Sequence, residues 1–434
     1  MSTMNKMVFA TSLLMLTALA NAAELPENGA AKHTGVATCA ASQCHGSSIP
    51  RDATGVLQNE YVTWTQDDAH AEAYNTLGNE LSQRIAARLG IADARAADEC
   101  LDCHADNVAA DRRGEKFQIS DGVGCESCHG GAENWLATHN NAATETHASN
   151  VAAGMYPTNE AGARAELCLS CHLGTENKFA SHRMMAAGHP RLAFELDTFT
   201  ELWRTLGRQP HYRNDAEYRE RKPVPGHSYT WAIGLIAEAR LRLDLIAGSH
   251  FDGVGMFPEL GFYDCHACHR SMKTVQWQKL PRHGTAAPGM PFINDGTFVM
   301  SLALARAIQP DMTDELQTAL RNLHAAGSDS VESIRTAASN LDAALARLGN
   351  AITPARISQS EAEILEAVLE TGAEGNYLDY VSAEQAFMAV QMLVIELDDP
   401  ALEASLDALA DMLNDDERYR PSQFTQLLDD LRKN

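Results

Sequence analysis

The sequence predicts a mainly α-helical protein in two parts, a cysteine-rich domain of short helices and loops and then an α-helical bundle. Two observations predict this division. All ten cysteines lie between residues 30 and 283, where long apolar runs are few before residue 190. Residues 296–434 contain no cysteine, and their apolar residues recur at a period near 3.6, which is typical of helices. We therefore expect domains over 30–283 and 296–434.

The N-terminus has the pattern of a secretory signal peptide. Lys6 is followed by the apolar stretch Met7–Leu19 and by the small residues Ala20 and Ala22 around Asn21. This order predicts a signal peptide over residues 1–22, cut after Ala22. An uncleaved anchor is the alternative, but the stretch is short for a membrane span of about 20 residues. We expect a periplasmic or cell-surface protein without a transmembrane segment in its mature chain.

The cysteines form five close pairs, and a histidine follows each pair directly. An even number of cysteines in an exported protein usually indicates disulfides, but disulfides give no reason for the histidines. Four pairs enclose two residues and the first encloses four. The motifs are Cys39–Cys44–His45, Cys100–Cys103–His104, Cys125–Cys128–His129, Cys168–Cys171–His172 and Cys265–Cys268–His269.

The spacing of these motifs is that of covalent haem attachment. In C-x-x-C-H the two thiols form thioether bonds to the haem vinyl groups, and the histidine binds the iron. Zinc is the main alternative because C-x-x-C pairs also build tetrahedral sites, but zinc leaves the repeated histidine unexplained. We predict five haem c groups. For the widened first motif, a single thioether through Cys44, or a Cys39–Cys44 disulfide without haem, remains an alternative.

The chain has 17 histidines, so twelve remain after the five motif histidines. Histidine is a common second axial ligand of haem iron, so this surplus predicts mostly bis-histidine, low-spin haems of low potential. The predicted distal ligands are His70, His139, His182, His189 and His227. Weaker candidates are His250, His266 and His283. We expect His33, His147, His211 and His324 to be surface residues, and Met184 and Met185 to be packing residues.

Helical periodicity begins before the second domain. It covers residues 190–206 and 228–246, and after a Pro/Gly-rich linker near residues 280–296 it continues in six further segments. From Asp295 onwards the chain has 9 Lys or Arg and 25 Asp or Glu, a net charge of −16 out of −24. This acidity either steers a basic redox partner or serves solubility. It argues against nucleic-acid binding.

The N-terminal half resembles the cytochrome c-554 family of tetrahaem electron carriers over residues 30–190. GVATCAASQCH is similar to the first site of that family, and the segment from Trp64 to Tyr74 around His70 is similar to its W…HA-A segment. ECLDCH, GVGCESCHG and LCLSCHL resemble the next three sites, and His139 falls where the family has an axial histidine. The chain departs from the family in its widened first motif, its fifth motif and its acidic helical domain.

The resemblance implies a compact core of haems in close, partly stacked pairs. It also implies that the second haem, at Cys100, Cys103 and His104, is five-coordinate with an open face. The segment that contains His182 and His189, together with the later His227, could supply ligands that the tetrahaem carriers lack, including one that closes this haem.

The leading hypothesis is an electron carrier that needs no protein acid or base, because iron performs the redox chemistry. The alternative is an oxidoreductase that acts on a small nitrogen or sulfur compound at a five-coordinate haem. A third hypothesis gives the acidic helical domain the role of docking the carrier onto a partner.

Overall fold

The computed structural model describes residues 23–51, 56–140, 146–205, 214–252, 258–269, 280–285 and 289–433. Within these ranges the chain forms 22 α-helices, eight short 3-10 helices and no β-strand. The predicted mainly α-helical fold is therefore confirmed. The predicted signal peptide and His211 lie outside the described residues.

The cysteine-rich part consists mostly of short helices joined by turns. The motifs lie at helix ends, where the chain can present two thiols and a histidine from one turn. These helices are α1 (Val36–Cys39), α2 (Glu60–Asp67), α3 (Ala73–Thr76), α4 (Glu80–Leu89), α5 (Asp98–His104), α6 (Cys125–His129), α7 (Leu136–His139), α8 (His147–Ala152), α9 (Ala161–His172), α10 (His182–Ala187), α11 (Leu196–Thr205) and α12 (Ala216–Arg221).

Longer helices follow, as the periodicity predicts. The apolar segment at 228–246 forms one helix of 21 residues, and a short helix carries the fifth motif. The helices are α13 (His227–Ala247), α14 (Cys265–Cys268), α15 (Gly296–Ile308), α16 (Thr313–Ala326), α17 (Val331–Asn350), α18 (Pro354–Gln359), α19 (Glu361–Ala373), α20 (Tyr380–Glu396), α21 (Pro400–Asp411) and α22 (Pro421–Arg432).

One large buried cluster unites α9, α11 and α13 with the C-terminal helices. Helix α13 packs against α17 and also against α9. Trp231, Ala239 and Ile246 of α13 are almost completely buried in this cluster. Because α9 ends in the fourth motif, the core holds one of the haem-attachment motifs directly. The domain boundary between residues 283 and 296 remains a prediction.

The segment near residues 280–296 is not a free linker. Arg282, His283 and Asp295 are all buried, and the Arg282 guanidinium donates to both carboxylate oxygens of Asp295 at 2.5 and 3.2 Å. Arg282 also donates to the Asn376 side chain and carbonyl. Gly284 and Gly289 have positive φ values of +55° and +84°, so the glycines that suggested a linker belong to turns of a fastened segment.

None of the helices in the described part of the chain combines the length and apolar character needed to cross a bilayer.

Candidate haem-binding sites

The first and third motifs are brought together by the buried side chain of Glu126, which lies inside the third motif. Its carboxylate accepts hydrogen bonds from the backbone N–H groups of Thr34, Gly35 and Ala132 at 2.6–2.7 Å. Gly35 has φ +93°, and a Cβ there would lie 2.3 Å from the Lys116 carbonyl oxygen, so glycine is required. This link places the start of α1 beside α6.

The thiols of these two motifs meet as a result. The thiols of Cys39 in the first motif and Cys125 in the third interact, and each shifts the pKa of the other, downward for Cys39 and upward for Cys125. In the same way, Cys103 of the second motif interacts with Cys171 of the fourth. The Cys171 sulfur also lies 3.4 Å from the Lys178 ammonium. The interaction with Cys103 and the nearby Lys178 ammonium together lower the pKa of the Cys171 thiol to about 6, although burial acts in the opposite direction.

The two extra residues of the first motif are absorbed in a turn. The N–H of His45 donates to the Cys39 carbonyl at 3.1 Å, as the N–H of His269 donates to Cys265 at 2.7 Å in the fifth motif. The backbone therefore relates the histidine to the first cysteine by the same hydrogen bond in both motifs.

Four motif histidines each have a second histidine ring nearby. The rings of His139 and His45 have centroids 5.9 Å apart and are nearly parallel, with planes 15° apart. The remaining three pairs have centroid distances of 6.1 to 6.4 Å and interplanar angles of 89°, 83° and 37°. They are His70 with His172, His189 with His104, and His182 with His269.

This spacing fits a metal ion held between two imidazoles. A metal–nitrogen bond to histidine is about 2.0 Å long and the ring centre lies about 1.1 Å beyond the nitrogen, so the two centroids stand roughly 6 Å apart. The donor set, two neutral imidazoles beside a pair of thiols, is that of a bis-histidine c-type haem. The residues present therefore fit the group that the motifs imply.

Hydrogen bonds at Nδ1 fix several of these rings. The Nδ1 of His45 lies 2.9 Å from Glu60, and the Nδ1 of His70 lies 2.9 Å from Asp68. In the pair of His104 and His189, the Nδ1 atoms lie near backbone carbonyl oxygens. The distances are 3.1 Å from His104 to Ala73 O and 2.7 Å from His189 to Pro190 O. Metal-binding histidines commonly donate their other N–H in this way, which leaves Nε2 for the metal.

Burial lowers the pKa of some of these histidines, whereas hydrogen bonds to carboxylates raise the pKa of others. Burial lowers the pKa of His172 to about 4 and also lowers that of His104, so both are neutral at pH 7. Hydrogen bonds to Glu60 and Asp68 raise the pKa values of His45 and His70. The neutral ring is the form that binds a metal.

Aromatic side chains pack on the paired rings. The Trp135 ring meets that of His139 edge to face at 5.5 Å, and Phe194 stacks on His172 at 4.6 Å. Neither these aromatic residues nor Glu60 and Asp68 were predicted from the sequence. The contact of Asp68 could have been predicted, because Asp68 precedes His70 by only two residues.

His227 lies outside the four pairs. It opens α13, as its sequence context predicts, and its Nδ1 is 3.1 Å from Asp197, an arrangement like those of His45 and His70. The hydrogen bond to Asp197 raises the pKa of His227 to about 9. The third motif histidine, His129, is likewise not a member of these pairs. An axial role for His227 remains a prediction.

Two histidines that we expected at the surface are buried. His33 has both ring nitrogens committed, Nδ1 to Asp106 at 2.8 Å and Nε2 to the Pro26 carbonyl at 3.3 Å. His324 lies 3.0 Å from Asp295. Both expectations were wrong because each ring has a carboxylate partner far away in the sequence, which compensates for its burial.

His283, Asp295 and His324 form one further cluster that could hold a metal ion, with ligand atoms within 4.8 Å of one another. However, the Arg282 guanidinium already donates to the carboxylate of Asp295. Arg282, together with His324, lowers the pKa of Asp295 well below its usual range, despite burial that acts in the opposite direction. The cluster is best explained as a buried ion pair that fastens the 280–295 segment.

Residues 38–130 match the family of cytochrome c554 and c-prime. The match covers the first three motifs, His70 and Gly124, so this part of the chain is cytochrome c554-like. It indicates a c-type cytochrome with a redox role. No curated protein and no solved structure matches the chain.

Proposed function

We propose that this cytochrome c554-like chain is an exported electron carrier with five covalently attached haems, most of them held between two histidines. The observation that carries the proposal is the set of four histidine pairs, each joining one motif histidine to one remote histidine at 5.9–6.4 Å. Haem iron, when bound, supplies one-electron transfer.

The protein residues have simple roles in this proposal. The cysteines would hold each haem covalently, and the paired imidazoles would bind its iron and keep water and small ligands away from it. Glu60 and Asp68 hold Nδ1–H groups, so that Nε2 faces the metal. The thiol contacts between motifs one and three, and between motifs two and four, would place the haems of each pair close enough for electron transfer.

The location and partner follow from the sequence. Haem attachment through thioethers and the N-terminal pattern of residues 1–22 support export to the periplasm or the cell surface. The acidic residues of 296–434 support docking of a basic redox protein near this domain.

An oxidoreductase acting on a small nitrogen or sulfur compound is the alternative. It needs an iron with an open position, which the family resemblance suggests for the second haem. The ring of His189, 6.4 Å from that of His104, argues against an open position there.

The proposal is tested by the intact mass and the spin state of protein matured in a host that attaches haem c. Each haem adds about 616 Da, and we expect five additions; four would indicate that Cys39 and Cys44 carry no haem. The oxidised protein should be largely low-spin. A colourless product with zinc or cystine at the motifs would overturn the proposal.

A matched pair of variants tests the pairing itself. His139→Ala should turn one haem high-spin while the mass still shows every haem, because the thioethers do not depend on the axial ligand. His266→Ala is the control: His266 lies inside the fifth motif but faces Asp264 and Asp416 rather than a motif histidine. Equal spectra for the two variants would contradict the pairing.

A further inference from the structure

Helix α10 carries two of the paired histidines, one at each end. His182 is its first residue, and His189 follows the helix directly after Gly188, which has the left-handed conformation that ends it. The two rings point to different motifs: His182 lies 6.2 Å from His269 of the fifth, and His189 lies 6.4 Å from His104 of the second.

Both ends of the helix are fastened. At the N-terminal end, the Glu259 carboxylate accepts from the N–H of His182 at 2.7 Å and from the N–H of Gly261 at 2.8 Å. Glu259 thereby ties His182 to the chain segment that leads into the fifth motif. The Ser181 hydroxyl caps the helix through the N–H of Met184.

The helix is also bound to α4 near both of its ends. Arg88 donates to the Ala187 carbonyl at 2.9 Å, and Arg183 donates to the Leu89 carbonyl at 2.6 Å. The N–H of His189 donates to the Met184 carbonyl, which holds the residue against the helix end. At a rise of about 1.5 Å per residue, the six residues of α10 span only about 9 Å.

We propose that α10 joins the second and fifth haem sites by giving one axial histidine to each, so that the fifth haem connects to the others through the second. This inference rests on the proposed haem attachment. The thiol contacts already link the second motif to the fourth, so the fifth site extends that pair. Its position at an end of the series agrees with the exposure of Cys268, which only Cys44 of the first motif shares among the ten cysteines.

Single and double histidine variants test the first half of the proposal. His182→Ala and His189→Ala should each convert one haem to high-spin, and the double variant should convert two, with an unchanged number of haems by mass. Free imidazole should restore the low-spin spectrum, which shows that the fold has survived. Ala186→Ser, at an exposed position of the same helix, is the control and should leave all haems low-spin.

The identity of each haem is tested by removing the fifth attachment site. In Cys265→Ala/Cys268→Ala, which should lose one haem by mass, adding His182→Ala should produce no further high-spin haem, whereas adding His189→Ala still should. Redox titration followed by electron paramagnetic resonance should show that loss of the fifth haem shifts the midpoint of the His189-ligated haem more than that of the His139-ligated haem.

Failures of the two proposals are distinguishable. If no haem is attached, the mass shows it, and the function proposed above is wrong. If five haems are attached but His182→Ala and His189→Ala leave every haem low-spin, or change the same haem, the bridging role of α10 is wrong. If the larger midpoint shift falls on another haem, the fifth site does not connect through the second.

Discussion

A carboxylate beside an axial histidine changes how strongly the ring donates electrons to a metal. Glu60 lies 2.9 Å from the Nδ1 of His45, and this contact lowers the pKa of Glu60 and raises that of His45. A hydrogen bond of this kind increases the basicity of the ligand and stabilises ferric iron over ferrous iron.

We therefore expect Glu60→Gln to raise the reduction potential of the first haem. The neutral amide accepts a weaker hydrogen bond from Nδ1–H than the carboxylate does, so the ring becomes less basic and stabilises ferric iron less. Redox titration of the holoprotein, followed at the Soret band, measures this change. Glu80→Gln is the control, since Glu80 is exposed and forms an ion pair with Arg84 rather than with a histidine. A potential that falls, or that moves equally in both variants, would show that Glu60 does not act through His45.

The buried environment of Asp295 leads to a prediction about the stability of the fold. Its carboxylate is buried with Arg282 and His324, and these partners lower its pKa well below 3.8. A group with a lowered folded pKa stabilises the fold above its unfolded pKa and loses that effect as the pH falls through the folded value.

Asp295→Asn should lower the free energy of unfolding by about 3–5 kcal/mol at pH 7, because it removes the carboxylate that is hydrogen-bonded to the buried Arg282 guanidinium. Urea denaturation measures this loss. The difference in the free energy of unfolding between the wild-type protein and the variant should be smaller at pH 3, where the wild-type protein has lost part of the stabilisation from the Asp295 carboxylate. The exposed pair Arg240–Asp342 provides the control, and Asp342→Asn should cost less than about 1 kcal/mol. Equal costs would show that burial does not matter here.

At the scale of single residues, sequence spacing predicted the motifs but not which histidines meet. The local pattern sets His45 beside Cys44, whereas the approach of His139 depends on the fold of the intervening chain. The carboxylate partners of His33 and His324 are equally remote, which is why these rings were expected at the surface.

Helices were predicted best where apolar periodicity is long. Residues 228–246 form α13, and the six predicted C-terminal segments correspond to α15, α16, α17, α19, α20 and α21. The last helix, α22, was not predicted, although Phe424, Leu428 and Leu431 are buried at helical spacing. The apolar periodicity of this helix extends over only about three turns and is interrupted by polar residues, which makes it difficult to recognise in the sequence.

Close helix packing gives a prediction for α13. A Cβ at Gly234 would lie 2.7 Å from the Leu196 Cβ of α11, too close for any real contact, whereas a Cβ at Gly162 of α9 would meet nothing within 4 Å. Gly234→Ala should destabilise the protein by about 1–3 kcal/mol through overpacking. Gly162→Ala should stabilise it by up to about 1 kcal/mol through helix propensity. Chemical denaturation of both variants measures the difference, and a stabilising Gly234→Ala would contradict the packing described.

In the whole molecule, the haem-bearing and helical parts share a core. Helix α13 is apolar on most of its surface because it packs on α17 on one side and on α9 on the other. The sequence indicates a buried helix at this position but does not indicate its neighbours. The core therefore holds the fourth motif, at the end of α9, against helices that lie up to 260 residues further along the chain.

The distribution of charge over the molecule leads to a final prediction. Residues 295–434 account for −16 of the net charge of −24. If this charge steers a basic partner, reduction of a basic acceptor such as a cytochrome c of high isoelectric point should slow at least tenfold from low salt to about 0.5 M salt. Stopped-flow oxidation of the reduced holoprotein measures this rate.

The position of the charge separates steering from plain solubility. Neutralising Glu403, Asp407 and Asp411 on α21 should slow the reaction several-fold at low salt, because the local potential that attracts the acceptor weakens. Neutralising the equally exposed Glu72, Glu80 and Glu115 in the cysteine-rich part changes the net charge by the same amount and should have a smaller effect. Equal effects of the two sets would mean that total charge alone governs the encounter, and that the acidic helices are not where the acceptor docks.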